Sequence, residues 1–100
     1  MAKQITPQEV EKRLQNKQEI IVIDVREPAE VATGKIPGAV HIPLGQLALR
    51  KSELDNDKLY IITCQSGNRS KAACGILEAL GFKVEDMIGG MNNWNGATDK

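Results

Sequence analysis

Residues 59 to 70 read Leu-Tyr-Ile-Ile-Thr-Cys-Gln-Ser-Gly-Asn-Arg-Ser. The first five residues form a short apolar run rich in β-branched side chains, which predicts a strand buried on both faces of a parallel sheet. A polar loop follows, and then apolar residues at helical spacing continue to Gly81, a natural helix C-terminal cap. A buried strand that leads through a loop into a helix is typical of an α/β fold.

The alternation of strands and helices extends outward from this stretch. Thr6-Pro7-Gln8-Glu9 is a capping box with proline at the first helical position, and it predicts a helix that ends near Asn16-Lys17. Ile20-Ile21-Val22-Ile23 is a second buried strand by the same criteria as the first. Weaker patterns predict a short helix from Pro28, a strand at 40–42, a brief helix at 44–50, a last strand at 82–84 and a terminal helical piece at 89–94. We therefore expect one α/β domain over residues 1–100, with a central, mostly parallel sheet flanked by helices on both faces.

Composition narrows the classes of function. Thirteen basic residues balance thirteen acidic ones, so nothing in the net charge indicates a nucleic-acid partner or an anionic membrane. No stretch approaches the roughly 18 apolar residues of a membrane-spanning helix, and the first residues lack the apolar core of a signal peptide. We therefore expect a cytoplasmic protein in which Cys64 and Cys74 stay reduced. With His41 as the sole histidine, these thiols make a poor metal site, and we expect no metal and no cofactor.

The loop after the strand at 59–63 is the strongest candidate for a site, because ligands of open α/β sheets bind beyond the carboxyl ends of the strands. Gly67 and Asn68 tolerate positive φ, so the loop can curl until several backbone N–H groups point at one centre. The start of the following helix and the charge of Arg69 add positive potential at the same place. These features favour the thiolate form of Cys64 and indicate a reactive nucleophile. The alternative is a small, buried, unreactive cysteine at a strand end.

Three motifs in order resemble the rhodanese family, and together they span nearly the whole chain. They are Ile23-Asp24-Val25-Arg26-Glu27 with Gly34-Lys35-Ile36-Pro37-Gly38-Ala39 and Ile42-Pro43, then Cys64-Gln65-Ser66-Gly67-Asn68-Arg69-Ser70, then Gly89-Gly90-Met91-Asn92-Asn93-Trp94. The resemblance implies a sulfurtransferase that forms a persulfide on Cys64. It implies that this persulfide is held by the backbone amides of Gln65, Ser66, Gly67, Asn68 and Arg69. Thiosulfate or a persulfide, on a small thiol or on a protein, would donate the sulfur, and cyanide or a thiol would accept it.

The chain departs from the family pattern at two positions. Gln65 stands where the family often has a basic residue, so the site lacks a charge that could help to bind thiosulfate. Lys35 stands where histidine is common, and we expect this change to be structural.

Two other functions are open to a chain of this kind. A cysteine phosphatase uses a related loop with five residues between cysteine and arginine, whereas four separate Cys64 from Arg69 here, and no general acid is evident in the sequence. A non-catalytic binding or regulatory module is the second alternative, although rhodanese-like modules of that kind have lost the cysteine that this chain retains.

Three further polar residues are interpreted as structural. We expect Asp24 and Arg26 to form an ion pair or to brace loops at the end of the sheet. We expect Cys74 to pack on the helix after the loop rather than to resolve a persulfide as a disulfide.

Overall fold

The computed structural model describes residues 2–99, in which five strands and three α-helices alternate along the chain. They are β1 (Lys3–Ile5), α1 (Pro7–Gln15), β2 (Ile20–Asp24), α2 (Pro28–Val31), β3 (Val40–His41), β4 (Leu59–Thr63), α3 (Asn68–Ala79) and β5 (Lys83–Met87). Short 3-10 helices lie at Leu44–Gln46, Lys51–Glu53 and Gly90–Asn93. No helix in this part of the chain combines the length and apolar character needed to cross a bilayer.

The strands form one sheet in the order β1-β5-β4-β2-β3, and every pair of neighbours is parallel. The register between β2 and β4 places Asp24 beside Thr63, the last residue of each strand. Both strands therefore end at the same level, and the loops that follow them emerge side by side. This alignment brings the segment after Asp24 against the loop that begins at Cys64.

The two faces of the sheet bury separate apolar clusters, because side chains alternate between faces along each strand. Ile23 and Ile62 pack on one face with Leu77 of α3. Their neighbours Val22 and Ile61 pack on the other face, together with Val10 of α1 and the C-terminal residues Met91 and Trp94. These two clusters confirm the predicted α/β architecture with helices on both faces.

The predicted element boundaries hold where the local signal was strong. The strands at 20–23 and 59–63 are confirmed. The side chain of Thr6 caps α1 by accepting a hydrogen bond of 3.1 Å from the amide of Glu9. Gly81 ends α3 with φ +92°, as a C-terminal cap requires.

The sequence-based expectation was wrong in three places. It contained no strand before Thr6, yet β1 pairs with the edge of β5, because three residues are too few to show a periodic pattern. The expected helix at 44–50 is replaced by two 3-10 helices separated by turns. The last strand lies at Lys83–Met87 rather than at 82–84, and it continues through Glu85 and Asp86, which are buried.

Candidate active site

The sulfur of Cys64 lies directly beyond β4, enclosed by the turn into α3. Cys64 is fully buried. Its Sγ accepts hydrogen bonds from the backbone amides of Gly67, at 3.1 Å, and of Ser70, at 3.3 Å. Gly67 has φ +103° and precedes the first residue of α3, so the loop turns back over the sulfur at the positive end of the helix. Two N–H donors at one sulfur are suited to a thiolate or to another anionic sulfur species.

The hydrogen bond from the Ser70 amide was not predicted from the sequence, because the predicted persulfide-binding loop ended at Arg69. Of the five predicted loop residues, Gly67 contacts Sγ through its amide. Ser70 reaches the sulfur because it lies in the first turn of α3, where amides have no partner within the helix. The capping rule for helix N-termini could have indicated this residue.

The loop at residues 64–69, called the cysteine loop below, packs against the turn at Gly89 and Gly90, called the glycine turn. The amide of Met91 donates to the carbonyl oxygen of Cys64 at 2.7 Å, and the amide of Asn92 donates to that of Gln65 at 2.9 Å. Gly90 has φ +58°, and a Cβ at this position would collide with the backbone carbonyls of Cys64 and Gln65. The cysteine loop and the glycine turn are therefore one packed unit.

Arg26 connects the end of β2 to the cysteine loop and is itself buried, with 2% of its side chain exposed. Its guanidinium forms an ion pair of 2.8 Å with the fully buried Asp24, which confirms the predicted pair. It also donates to the backbone carbonyl of Gly34 at 2.7 Å and to Oε1 of Gln65 at 3.0 Å. The Nε2 amide of Gln65 donates to Asn92 at 2.7 Å, so the Gln65 side chain is held at both ends.

Arg69 is engaged by a residue that the sequence did not single out. Its two Nη atoms donate to the two carboxylate oxygens of Glu30 in α2, at 2.6 and 2.7 Å. This two-point hydrogen bond with the Arg69 guanidinium is the main reason that the pKa of Glu30 falls to about 2. The charge of Arg69, which was expected to favour the thiolate, is therefore shared with a carboxylate. Sequence distance conceals this pair, because 39 positions separate its members.

The hydroxyl of Ser70 ties the cysteine loop to β5. Its Oγ donates to Oδ1 of the buried Asp86 at 2.6 Å and lies 3.1 Å from the carbonyl oxygen of Gly67. Since the Ser70 amide also donates to Sγ of Cys64, this contact fixes one of the two donors at the sulfur. Asp86 is thus a supporting residue that the sequence did not indicate.

The second thiol lies outside this arrangement. Cys74 is buried on α3 in the cluster with Leu77, and burial is the main reason that its pKa rises to about 12. A cavity of about 430 Å³ is lined by Cys74 rather than by Cys64, so cavity size does not mark the reactive centre here. His41 donates from Nε2 to the backbone carbonyl of Arg26 at 2.7 Å and braces the loop after β2. Within residues 2–99, no three His, Cys, Asp or Glu side chains gather into a group that could bind a metal ion.

Comparisons with known proteins agree with this geometry. The family model of the rhodanese-like domain matches residues 6–97. YtwF of Bacillus subtilis, provisionally named a sulfurtransferase, is 42% identical over 96% of this chain and 93% of its own length. A sulfurtransferase of Allochromatium vinosum is 35% identical over 94% of this chain and 89% of its own. The crystal structure of a rhodanese-like domain protein from Staphylococcus aureus superposes with a TM-score of 0.92 at 31% identity, and covers 97% of this chain and 96% of its own. On this agreement of sequence, fold and site, the chain belongs to the rhodanese-like domain family.

Proposed function

We propose that this domain is a sulfurtransferase that moves sulfane sulfur from thiosulfate or a persulfide to cyanide or a thiol, through a persulfide on Cys64. The observation that carries the proposal is the pair of backbone N–H groups, from Gly67 and Ser70, that converge on Sγ. The Cys64 sulfur is the atom of this loop at which an anion would be held by fixed dipoles rather than by mobile water.

The cycle has two displacements. In the first, the Cys64 thiolate attacks the outer sulfur of thiosulfate. The sulfur–sulfur bond of the donor breaks, its electron pair leaves with sulfite, and Cys64 carries the transferred sulfur as a persulfide anion. In the second, cyanide or a thiolate attacks the terminal sulfur, and Cys64 leaves as the thiolate. No proton, oxidant or cofactor is required, since the negative charge passes from the nucleophile to the leaving group in each step.

The size of the loop also suits one sulfur atom better than a phosphoryl group. Four residues separate Cys64 from Arg69, and Arg69 is turned toward Glu30 rather than left free for a phosphate. A cysteine phosphatase also needs a general acid beside the leaving group. Glu30, the carboxylate paired with Arg69, has its pKa held at about 2 and is ionised at neutral pH, so it cannot serve as that acid.

The test is intact-protein mass spectrometry after incubation with thiosulfate and, separately, with a small-thiol persulfide. We expect the wild type to gain the mass of one sulfur atom and to lose it on addition of cyanide. Cys64→Ser should gain none, and the matched control Cys74→Ser should load like the wild type. Steady-state kinetics should give parallel double-reciprocal plots, as a ping-pong mechanism requires.

A protein that takes sulfur from neither donor would contradict the proposal. The domain would then be a binding or regulatory module built on the same fold. We place the reaction in the cytoplasm, where a thiol such as Cys64 stays reduced.

A further inference from the structure

The arginine side chains around the cysteine loop form ion pairs with carboxylates, so that their charges cancel. Arg26 is paired with Asp24, and Arg69 is paired with Glu30. Gln65, next to the reactive cysteine, is neutral, and both ends of its amide are occupied by other side chains. These residues therefore leave no unpaired cation among themselves for an incoming anion.

Of these two ion pairs, Arg69–Glu30 is the one that is accessible to an incoming sulfur donor. Both side chains are about one-third exposed, at 35% and 32%, whereas Arg26 and Asp24 are buried at the end of the sheet. The pKa of Arg69 is raised mainly by its hydrogen bond with Glu30, and a smaller contribution comes from the charge of Cys64. Arg69 lies in the chain between Gly67 and Ser70, whose amides contact the sulfur, and its charge is already matched by the Glu30 carboxylate.

Mild acid does not release this pair. The pKa of Glu30 is about 2, so the carboxylate stays charged throughout the pH range in which a cysteine can act as a nucleophile. Lys71 follows Ser70 and lines a pocket together with Ser66, Gly67 and Asn68 of the loop and with the carboxylate of Asp86.

We infer that Glu30 is a specificity-determining residue, which holds Arg69 in an ion pair and thereby disfavours doubly charged sulfur donors relative to singly charged persulfides. This inference rests on the proposed function of the Cys64 loop and assigns it a donor class. Thiosulfate is a dianion, whereas the persulfide of a small thiol carries at most one negative charge at the reacting group. A negative charge near the donor site therefore opposes the first donor about twice as strongly as the second.

The expected effect follows from Coulomb's law. For a dianion bound roughly 6 Å from the Glu30 carboxylate, in a water-like dielectric at low salt, removing that negative charge improves binding by about five- to tenfold. The same change improves the binding of a monoanion by about two- to threefold. The ratio of the two effects is diagnostic, because a loss of loop structure would lower the rates for both donors.

The experiment compares wild type, Glu30→Gln and the control Glu9→Gln, which removes a carboxylate paired with Arg13 on α1. Single-turnover loading of Cys64 is followed by intact mass with thiosulfate and with the persulfide of 2-mercaptoethanol. We expect Glu30→Gln to raise kcat/KM by about five- to tenfold for thiosulfate and by about two- to threefold for the persulfide. Glu9→Gln should change neither value, and added salt should shrink both gains.

A binding measurement keeps this inference separate from the proposed function. Thiosulfate is titrated into Cys64→Ser with and without Glu30→Gln, and the Nε–H signal of Arg69 is followed by nitrogen-15 NMR. A five- to tenfold tighter affinity in the double variant supports the role of Glu30, even if neither donor loads the wild type and the sulfurtransferase proposal fails. Equal affinities, or an equal fall in loading for both donors, would overturn it and make Glu30 a brace of the loop.

Discussion

Replacing Arg26 with methionine should be among the most damaging single changes in this domain. The substitution keeps a long apolar stem and removes a guanidinium whose three nitrogens all donate hydrogen bonds. It leaves the carboxylate of Asp24, which is fully buried, without a cation. Breaking a buried ion pair by removing one partner costs about 3–5 kcal/mol, since the remaining charge is neither solvated nor paired.

That loss is large against the total stability of the domain. A native domain is stable by about 5–15 kcal/mol, and a domain of this size loses roughly 4–8 °C of melting temperature for each kcal/mol. We therefore expect the melting temperature of Arg26→Met to fall by about 15–30 °C. The free energy of unfolding should be measured by urea denaturation, followed by circular dichroism.

The control is Glu9→Gln, which breaks a more exposed pair with Arg13 on α1. Such a pair contributes about 1 kcal/mol or less, because water screens it and replaces its hydrogen bonds. The double variant Asp24→Leu with Arg26→Met should recover part of the lost stability, since no buried charge is left unpaired. If Arg26→Met loses no more stability than Glu9→Gln, the buried pair does not stabilise the fold as its geometry indicates.

Three further predictions concern the loop and its neighbours. Gly90→Ala should lower sulfur loading of Cys64 at least tenfold, because the new Cβ collides with the backbone of the cysteine loop. In the control Gly75→Ala the Cβ has open space around it, so mass spectrometry should show normal loading. Cys74, with its pKa raised to about 12 by burial, should escape iodoacetamide at pH 8 in the folded protein, and peptide mapping that finds it alkylated as fast as a free thiol would contradict this. The lowered pKa of Glu30 stabilises the fold above pH 4.5, and this contribution is lost as the pH falls toward about 2. Urea titrations should therefore show that the wild type is about 1 kcal/mol more stable than Glu30→Gln at pH 7, a value reduced because the pair with Arg69 is partly exposed. If this difference in stability does not shrink as the pH falls, the pKa of Glu30 is not coupled to folding.

The fold was predictable where a local pattern carried enough residues to be periodic. The runs at 20–23 and 59–63 read as buried strands, and α1 and α3 had recognisable ends at Thr6 and Gly81. β1 was not predicted, because three residues cannot show alternation. Its strand conformation comes from pairing with the edge of β5. The 3-10 helices at 44–53 were not predicted, because their geometry depends on the residues that they pack against.

The candidate site could be predicted from local chemistry alone. A cysteine after a buried strand, followed by glycine and the start of a helix, indicates a curled loop with converging amides whatever the rest of the chain does. Gly67 was found in this way. Ser70 was missed by one residue, because the number of residues whose amides face the sulfur depends on loop geometry.

The sequence by itself determined the α/β class, the family and the candidate nucleophile, since each depends on residues that are neighbours along the chain. The tertiary structure decided which charges remain available at the site. Glu30 neutralises Arg69 and Arg26 holds Gln65, and each pair spans 39 positions. Coulomb and hydrogen-bond energies depend on distance in space, and only the alignment of β2 with β4 makes those distances short.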